Sequence, residues 1–460
     1  MSLKKSSKFY NHTIIFFFSS SIFLSFLKFG YFQFRYLVLF LLIPCIINFF
    51  EDLKNKNYKF IKYFLLFLSF FFIHLSINLY LDNEGFNLYN LFSLFYLLAI
   101  LSIAYYFKNT FNKNLDSIIF LFIFLLLFSS IISFFNFQLG DPYFCGGIPD
   151  IFDLVNSNGE NPEKAYYELK LSFKEYIFYE NSHLGMVAPS IIAYGIFITN
   201  SKKINYNKKI LILIFLIICF VKSSTTLLLG TTISLLTFLS FNSRELSKKI
   251  KFIFILIVLF FTSILTLSDE CKSRFINIAA NDNEYSKKDY SIINEQFFLN
   301  SKKNIIKNED KNFYKIFKEQ FDLSANNGRI LTSAVHYYAL SILGRSIFEK
   351  PFGWGINRYE NAFEYFNNKY KLSNLSLRNY NIKDGTNNFV KIFVEFGFFG
   401  LLIYILIFLF LVEKKIPVEL KLFYLPILIT QFIRGAGYFN GGFILIIFLI
   451  FFTYIDLKKE

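Results

Sequence analysis

Apolar runs close to membrane-spanning length recur along almost the whole chain, and nothing else in it restricts the fold so strongly. They fall at 13–29, 35–50, 60–80, 88–107, 117–136, 183–199, 210–221, 225–241, 252–268, 387–411, 422–433 and 442–456. A soluble core cannot absorb so many, whereas the hydrocarbon layer of a bilayer, ~30 Å thick, takes helices of about 20 apolar residues. The chain reads as an all-α polytopic integral membrane protein with about 12 transmembrane helices. No cleavable signal peptide is expected, since the basic stretch 1–8 leads into an apolar run that continues into a second one.

The formal net charge of +15 does not point to nucleic acid, because the lysines sit in short segments between apolar runs. Clusters precede the first run (Lys4, Lys5, Lys8) and follow the second, fourth, sixth, eighth, tenth and twelfth. Cytoplasmic placement of both termini satisfies all of them. Residues 1–268 then hold nine spans and an external loop at 137–182; 269–386 form a large external loop; 387–460 hold the last three spans. Long loops cross largely regardless of their charge, so the lysines of 269–386 do not oppose this. Cys145 and Cys271 fall one in each external loop, where a disulfide and two separate thiols both remain open. No Walker A, GxGxxG, zinc-like spacing or DxD-type metal motif occurs, so neither cofactor nor metal is expected.

Two hairpins span the bilayer awkwardly. In 210–240 a turn at Lys222-Ser223-Ser224-Thr225-Thr226 leaves a first arm, 210–221, of only about 18 Å. In 423–443 a short arm ends at Arg434 before Gly435, Gly437, Gly441 and Gly442. A cation at that depth is costly unless it faces water, a partner or an anionic ligand; snorkelling to the headgroups is the plain alternative.

The stretch KDGTNNFVKIFVEFGFFG (383–400) enters its apolar helix through polar residues. Asp384 or Thr386 is expected to cap it, and Asn387, Lys391 and Glu395 share one face. Lys391 and Glu395 are expected to pair with each other or with neighbours, Glu395 mainly as helix–helix glue. Upstream, 327–350 reads as an amphipathic helix carrying His336, which is taken as a packing residue. PFGWGINRYENAFEYF (351–366) follows, with a Pro/Gly turn presenting the single tryptophan, Trp354. An exposed indole beside Asn357, Arg358 and Glu360 suits sugar recognition; an interface anchor is the competing reading.

PFGWGINRY and KDGTNNFVKIFVEFGFFG resemble the Wzy-type O-antigen polymerase and O-antigen ligase superfamily, best over 328–411 and more loosely along the whole layout. The resemblance implies a GT-C-like membrane glycosyltransferase of the bacterial inner membrane, with its large loop periplasmic. It implies a polyprenyl-diphosphate-linked oligosaccharide as substrate, membrane lipid as surroundings, and leaves room for a chain-length regulator protein. The ligase branch carries a His-Asn pair where this chain has Thr386 and Asn387. The missing histidine favours a polymerase over a ligase, with a lipid-linked oligosaccharide flippase as the non-enzymatic alternative. Lys222, Arg329 and Arg434 match the positions implied to hold the diphosphate. Asp384 is the first candidate for the base and Glu180 the second, while Trp354, Arg358, Thr386, Asn387 and Asn181, next to His183, are the candidates for substrate contact.

Overall fold

The computed structural model describes residues 8–26, 28–29, 32–82, 88–136, 181–200, 205–221, 225–241, 332–369, 385 and 387–457. The predicted span 252–268, Cys145, Cys271 and most of both external loops lie outside them.

The described chain is helical apart from one two-residue antiparallel pair, Lys28–Phe29 with Phe32–Gln33. In order the helices are α1 (Lys8–Phe23), α2 (Leu42–Lys54, entered through a 3-10 run Phe34–Leu41), α3 (Lys59–Asp82), α4 (Leu88–Lys113) and α5 (Leu115–Asn136). Next come α6 (Asn181–Asn200), α7 (Tyr206–Val221) and α8 (Thr225–Phe241). The loop contributes α9 (Thr332–Glu349) and α10 (Tyr359–Lys369). The last part holds α11 (Asn388–Phe396), a 3-10 turn Gly397–Gly400, α12 (Leu401–Val412), α13 (Val418–Ile433) and α14 (Phe443–Leu457).

Among the described residues, four stretches are long and apolar enough to cross a membrane: Phe34–Lys54, Lys59–Ile77, Leu91–Lys113 and Asn388–Val412. Their surroundings agree with that composition. Ile43, Ile46 and Phe50 on α2, Leu65, Leu66, Phe72 and Ile73 on α3, and Leu402, Ile405 and Phe408 on α12 are exposed. In water such a belt would be a large aggregation-prone surface; against acyl chains it is the expected outer face of a membrane protein. The centre is different. α6, α13 and α14 are apolar nearly all round and are buried along most of their length.

Close helix approach in the centre depends on small residues. A Cβ on Gly185 would run into the backbone of Thr226 and Leu227, and one on Gly230 into the Pro189 ring. α6 and α8 therefore pack almost backbone to backbone, and α13 lies against both.

Three sequence expectations change. The run 387–411 is not one helix: it is interrupted at Gly397–Gly400. The short arms are longer than read, because α7 and α13 each have 16 residues. At 1.5 Å per residue that is about 24 Å, the added turns coming from segments that the lysine pattern had assigned to the flanks. The cap of α11 is Asn387, whose side chain accepts from the Val390 N–H. Asp384 and Thr386, the expected caps, lie outside the described residues.

Candidate functional site

The interruption in the span at Gly397 organises one end of the bundle. Gly397 has φ +57, which turns the chain and leaves the carbonyls of Val394 and Glu395 without successors in the helix. The loop supplies the missing donors. Trp354 N–H donates to Val394 O and Gly355 N–H to Glu395 O, both at 2.9 Å, while Phe398 N–H donates to Pro351 O at 2.9 Å. Gly353, with φ +88, lies directly against Gly397, and a Cβ on either would meet the backbone of the other segment. The Pro/Gly turn of 351–355 and the broken helix around Gly397 are thus one structure, the first set into the second. Non-helical backbone inside a membrane protein is tolerated when every polar group is satisfied in this way.

Glu395 sits beneath that junction with no exposure to solvent. Its Oε2 accepts from Asn357 N–H at 2.9 Å and from the Tyr438 hydroxyl; its Oε1 accepts from Tyr359 N–H at 3.2 Å. Lys391, one turn earlier and 5% exposed, places Nζ 3.7 Å from Oε1. A buried carboxylate is tolerable only with an opposite charge and donors on its remaining lone pairs, and Glu395 has both. It thereby ties together α11, the 355–359 segment and the turn before α14. Asn357, with φ +57, adds a link from its side-chain amide to Ser93 Oγ on α4.

The turn 434–442 closes the same end. Positive φ at Gly437, Gly441 and Gly442 lets it fold tightly. Gln431 Nε2 donates to Gly441 O at 3.0 Å and Met186 O at 3.3 Å, and Gly441 N–H donates to Ser25 Oγ at 2.7 Å. Gly435 presses on Asn388, whose side chain is fully buried with neither amide atom hydrogen-bonded. α6 meets the first turn of α8 at Gly185, α11 starts against Gly435, and α14 follows the turn directly, so several helix starts lie at this end.

Of the residues singled out in the sequence, Arg434 is partly exposed, ends α13 and donates its N–H to Thr430 O at 2.7 Å. Arg358 is partly exposed and lays its side-chain stem over Gly355. Asn387 is buried as a helix cap. Asn181 lies in the first turn of α6, and the His183 ring stacks on Phe26 at 4.2 Å. Asp384, Glu180, Lys222, Arg329 and Thr386 lie outside the described residues.

Trp354 is the clear correction. Its indole is not presented to solvent but 6% exposed. Nε1 donates to Ser346 Oγ at 3.0 Å, Lys350 Nζ lies 3.7 Å from the ring centre, and Tyr365 and Phe366 close around it. The turn folds inward because its N–H groups complete the broken helix, and the side chain follows. Stacking on a sugar would need a face that Lys350 and the α9–α10 cluster occupy.

Sequence reasoning passed over Arg35, Tyr438 and Asn440. Arg35 Nη1 donates to Asn440 Oδ1 at 3.0 Å, and Nη2 to the Tyr36 hydroxyl at 2.9 Å. Its signal was available: it opens the second apolar run at the flank opposite the lysine clusters. Tyr438 and Asn440 sit among glycines in a segment readable only as a turn. Comparison of the chain with protein-family models, with curated proteins and with solved structures gave no match.

Proposed function

We propose that the chain is a membrane glycosyltransferase, a polysaccharide polymerase that takes its donor glycan from a polyprenyl diphosphate. One observation supports this reading above the others. The two segments resembling the polymerase and ligase superfamily meet around the buried Lys391–Glu395 pair, at an end of the bundle that also gathers Arg35, Arg434 and several helix starts. Positive charge and fixed donors held in a low-dielectric region are what a departing diphosphate requires.

In the proposed reaction the terminal hydroxyl oxygen of a lipid-linked repeat unit attacks the anomeric carbon of the growing chain. The bond from that carbon to the diphosphate oxygen breaks, and the polyprenyl diphosphate leaves with the electron pair. Asp384 or Glu180 takes the hydroxyl proton. Lys222, Arg329 and Arg434 neutralise the leaving group, the arginines by bidentate contact. About 12 spans, cytoplasmic termini and a periplasmic site in the bacterial inner membrane complete the proposal.

The test is reconstitution of the purified chain in proteoliposomes with a lipid-linked oligosaccharide. A ladder of lengthened, lipid-linked glycans is the expected product. Transfer only to added lipid A-core would make the chain a ligase. An interrupted helix is also a device of transporters, so the assay includes a translocation readout; movement of the lipid-linked glycan without transfer would replace the enzyme with a flippase.

A further inference from the structure

Arg35 is an unusual cation for this setting. Guanidinium carries its charge at any physiological pH and is expensive inside an apolar protein unless neutralised. It donates to Asn440 Oδ1 and the Tyr36 hydroxyl, both neutral, and among the described residues no carboxylate is paired with it. Nε is buried without an acceptor. The residue as a whole is nevertheless partly exposed.

The surroundings hold the group still. The guanidinium lies 4.9 Å from the Tyr36 ring centre and 5.9 Å from that of Phe439. Tyr96 packs edge-on against both rings and donates its hydroxyl to Arg35 O at 3.5 Å. Asn440 Nδ2 is tied to Ala436 O at 2.6 Å, which turns Oδ1 toward Arg35. A cation set against two rings, with N–H groups to spare and no carboxylate paired with it among the described residues, is organised to receive an oxyanion in bidentate fashion. Phe439 lies between Tyr438, which contacts Glu395, and Asn440, so this cation borders the junction described above.

We infer that Arg35, set by Tyr36, Phe439 and Asn440, binds the phosphate of a lipid. Two sources share that chemistry, the diphosphate of a polyprenyl donor and the headgroup of a bilayer phospholipid. The inference rests on the transferase reading only for a choice of the first; the binding itself does not require glycan transfer.

The test uses the purified full-length chain in detergent and phenylglyoxal, which adds to guanidinium groups, with labelling of Arg35 followed by peptide mass spectrometry. Farnesyl diphosphate, farnesol and phosphatidylglycerol are added separately. A phosphate-bearing probe at about ten times its Kd should slow labelling roughly tenfold, while farnesol should not. Protection by the diphosphate alone assigns the site to the donor; equal protection by phosphatidylglycerol assigns it to the bilayer. Equal labelling under all conditions, or no labelling of the lipid-free chain, overturns the inference. Arg35→Gln, which keeps a neutral donor toward Asn440, should weaken farnesyl diphosphate binding about tenfold or more; unchanged affinity in a folded variant overturns it as well. If Arg35→Gln does not fold, the labelling of the unmodified chain decides alone. Protection of Arg35 in a chain that transfers no glycan removes the transferase reading and keeps the site; transfer without protection does the reverse.

Discussion

The two ends of the helix bundle solve different problems with similar residues. At the end opposite the helix break, polar groups make ordinary ties. Lys108 pairs with Asp456 at 3.1 Å, where the aspartate side chain is 49% exposed. Asn112 links Thr453 on α14 to Tyr424 on α13, and Lys421 donates to the carbonyls of Leu411 and Glu413. At the other end the ion pair is buried, glycines with positive φ bring backbones into contact, and among the described residues Arg35 donates only to neutral acceptors. Anchoring helices needs only the first kind of arrangement. The second is worth its desolvation cost only where a precise, charged environment is used for something.

That contrast can be broken by experiment. Glu395→Ala should have the largest effect, because it removes the buried acceptor shared by Lys391, the Tyr438 hydroxyl and two N–H groups. A loss of about 3–5 kcal/mol is expected, visible as a collapse of monodisperse protein in detergent thermal-unfolding scans; near-native stability would show that the enclosed pair is dispensable. Arg434→Ala tests use rather than stability. Glycan transfer in proteoliposomes should fall by roughly a hundredfold with little change in thermal midpoint, and normal ladders at normal protein level would reject its role in the clamp.

Gly397→Ala should cost about 2 kcal/mol or more from backbone strain and collision with the inserted turn. Gly353→Ala should behave alike, and a double variant no worse than either single would confirm that both report one junction. Asn387→Ala removes a helix cap and should cost about 1 kcal/mol, with Asn387→Ser restoring much of it. The smallest effect belongs to the opposite end. Asp456→Asn should change stability by no more than about 1 kcal/mol, because the pair is partly in contact with solvent. If that loss matched the loss from Glu395→Ala, the two ends would not differ as described.

Much of the helical layout was readable from apolar runs, since burial in lipid and burial in protein both demand the same side chains. Pairing of Lys391 with Glu395 followed from their spacing. The break at Gly397 did not, because hydropathy is blind to backbone direction and glycine is common in spanning helices. What stabilises the break is a turn 40 residues upstream in the sequence, where the N–H groups of Trp354 and Gly355 replace the lost helical partners of Val394 and Glu395. Trp354 misled for the same reason: a Pro/Gly turn in a loop reads as exposed until its backbone is given an inward task. Arg35 was legible as an outlier of charge placement, but its orphaned Nε could be seen only in three dimensions.

The meeting of Gly353 with Gly397 has a practical corollary for anyone building hybrids of this chain. The outer segment cannot be treated as a cassette. A graft that replaces 351–358 alone would leave two carbonyls of the spanning rod dangling in an oily medium, and a graft that replaces 394–398 alone would leave the incoming turn nothing to dock on. The two stretches must travel together, so viable chimaeras should have their crossovers outside both.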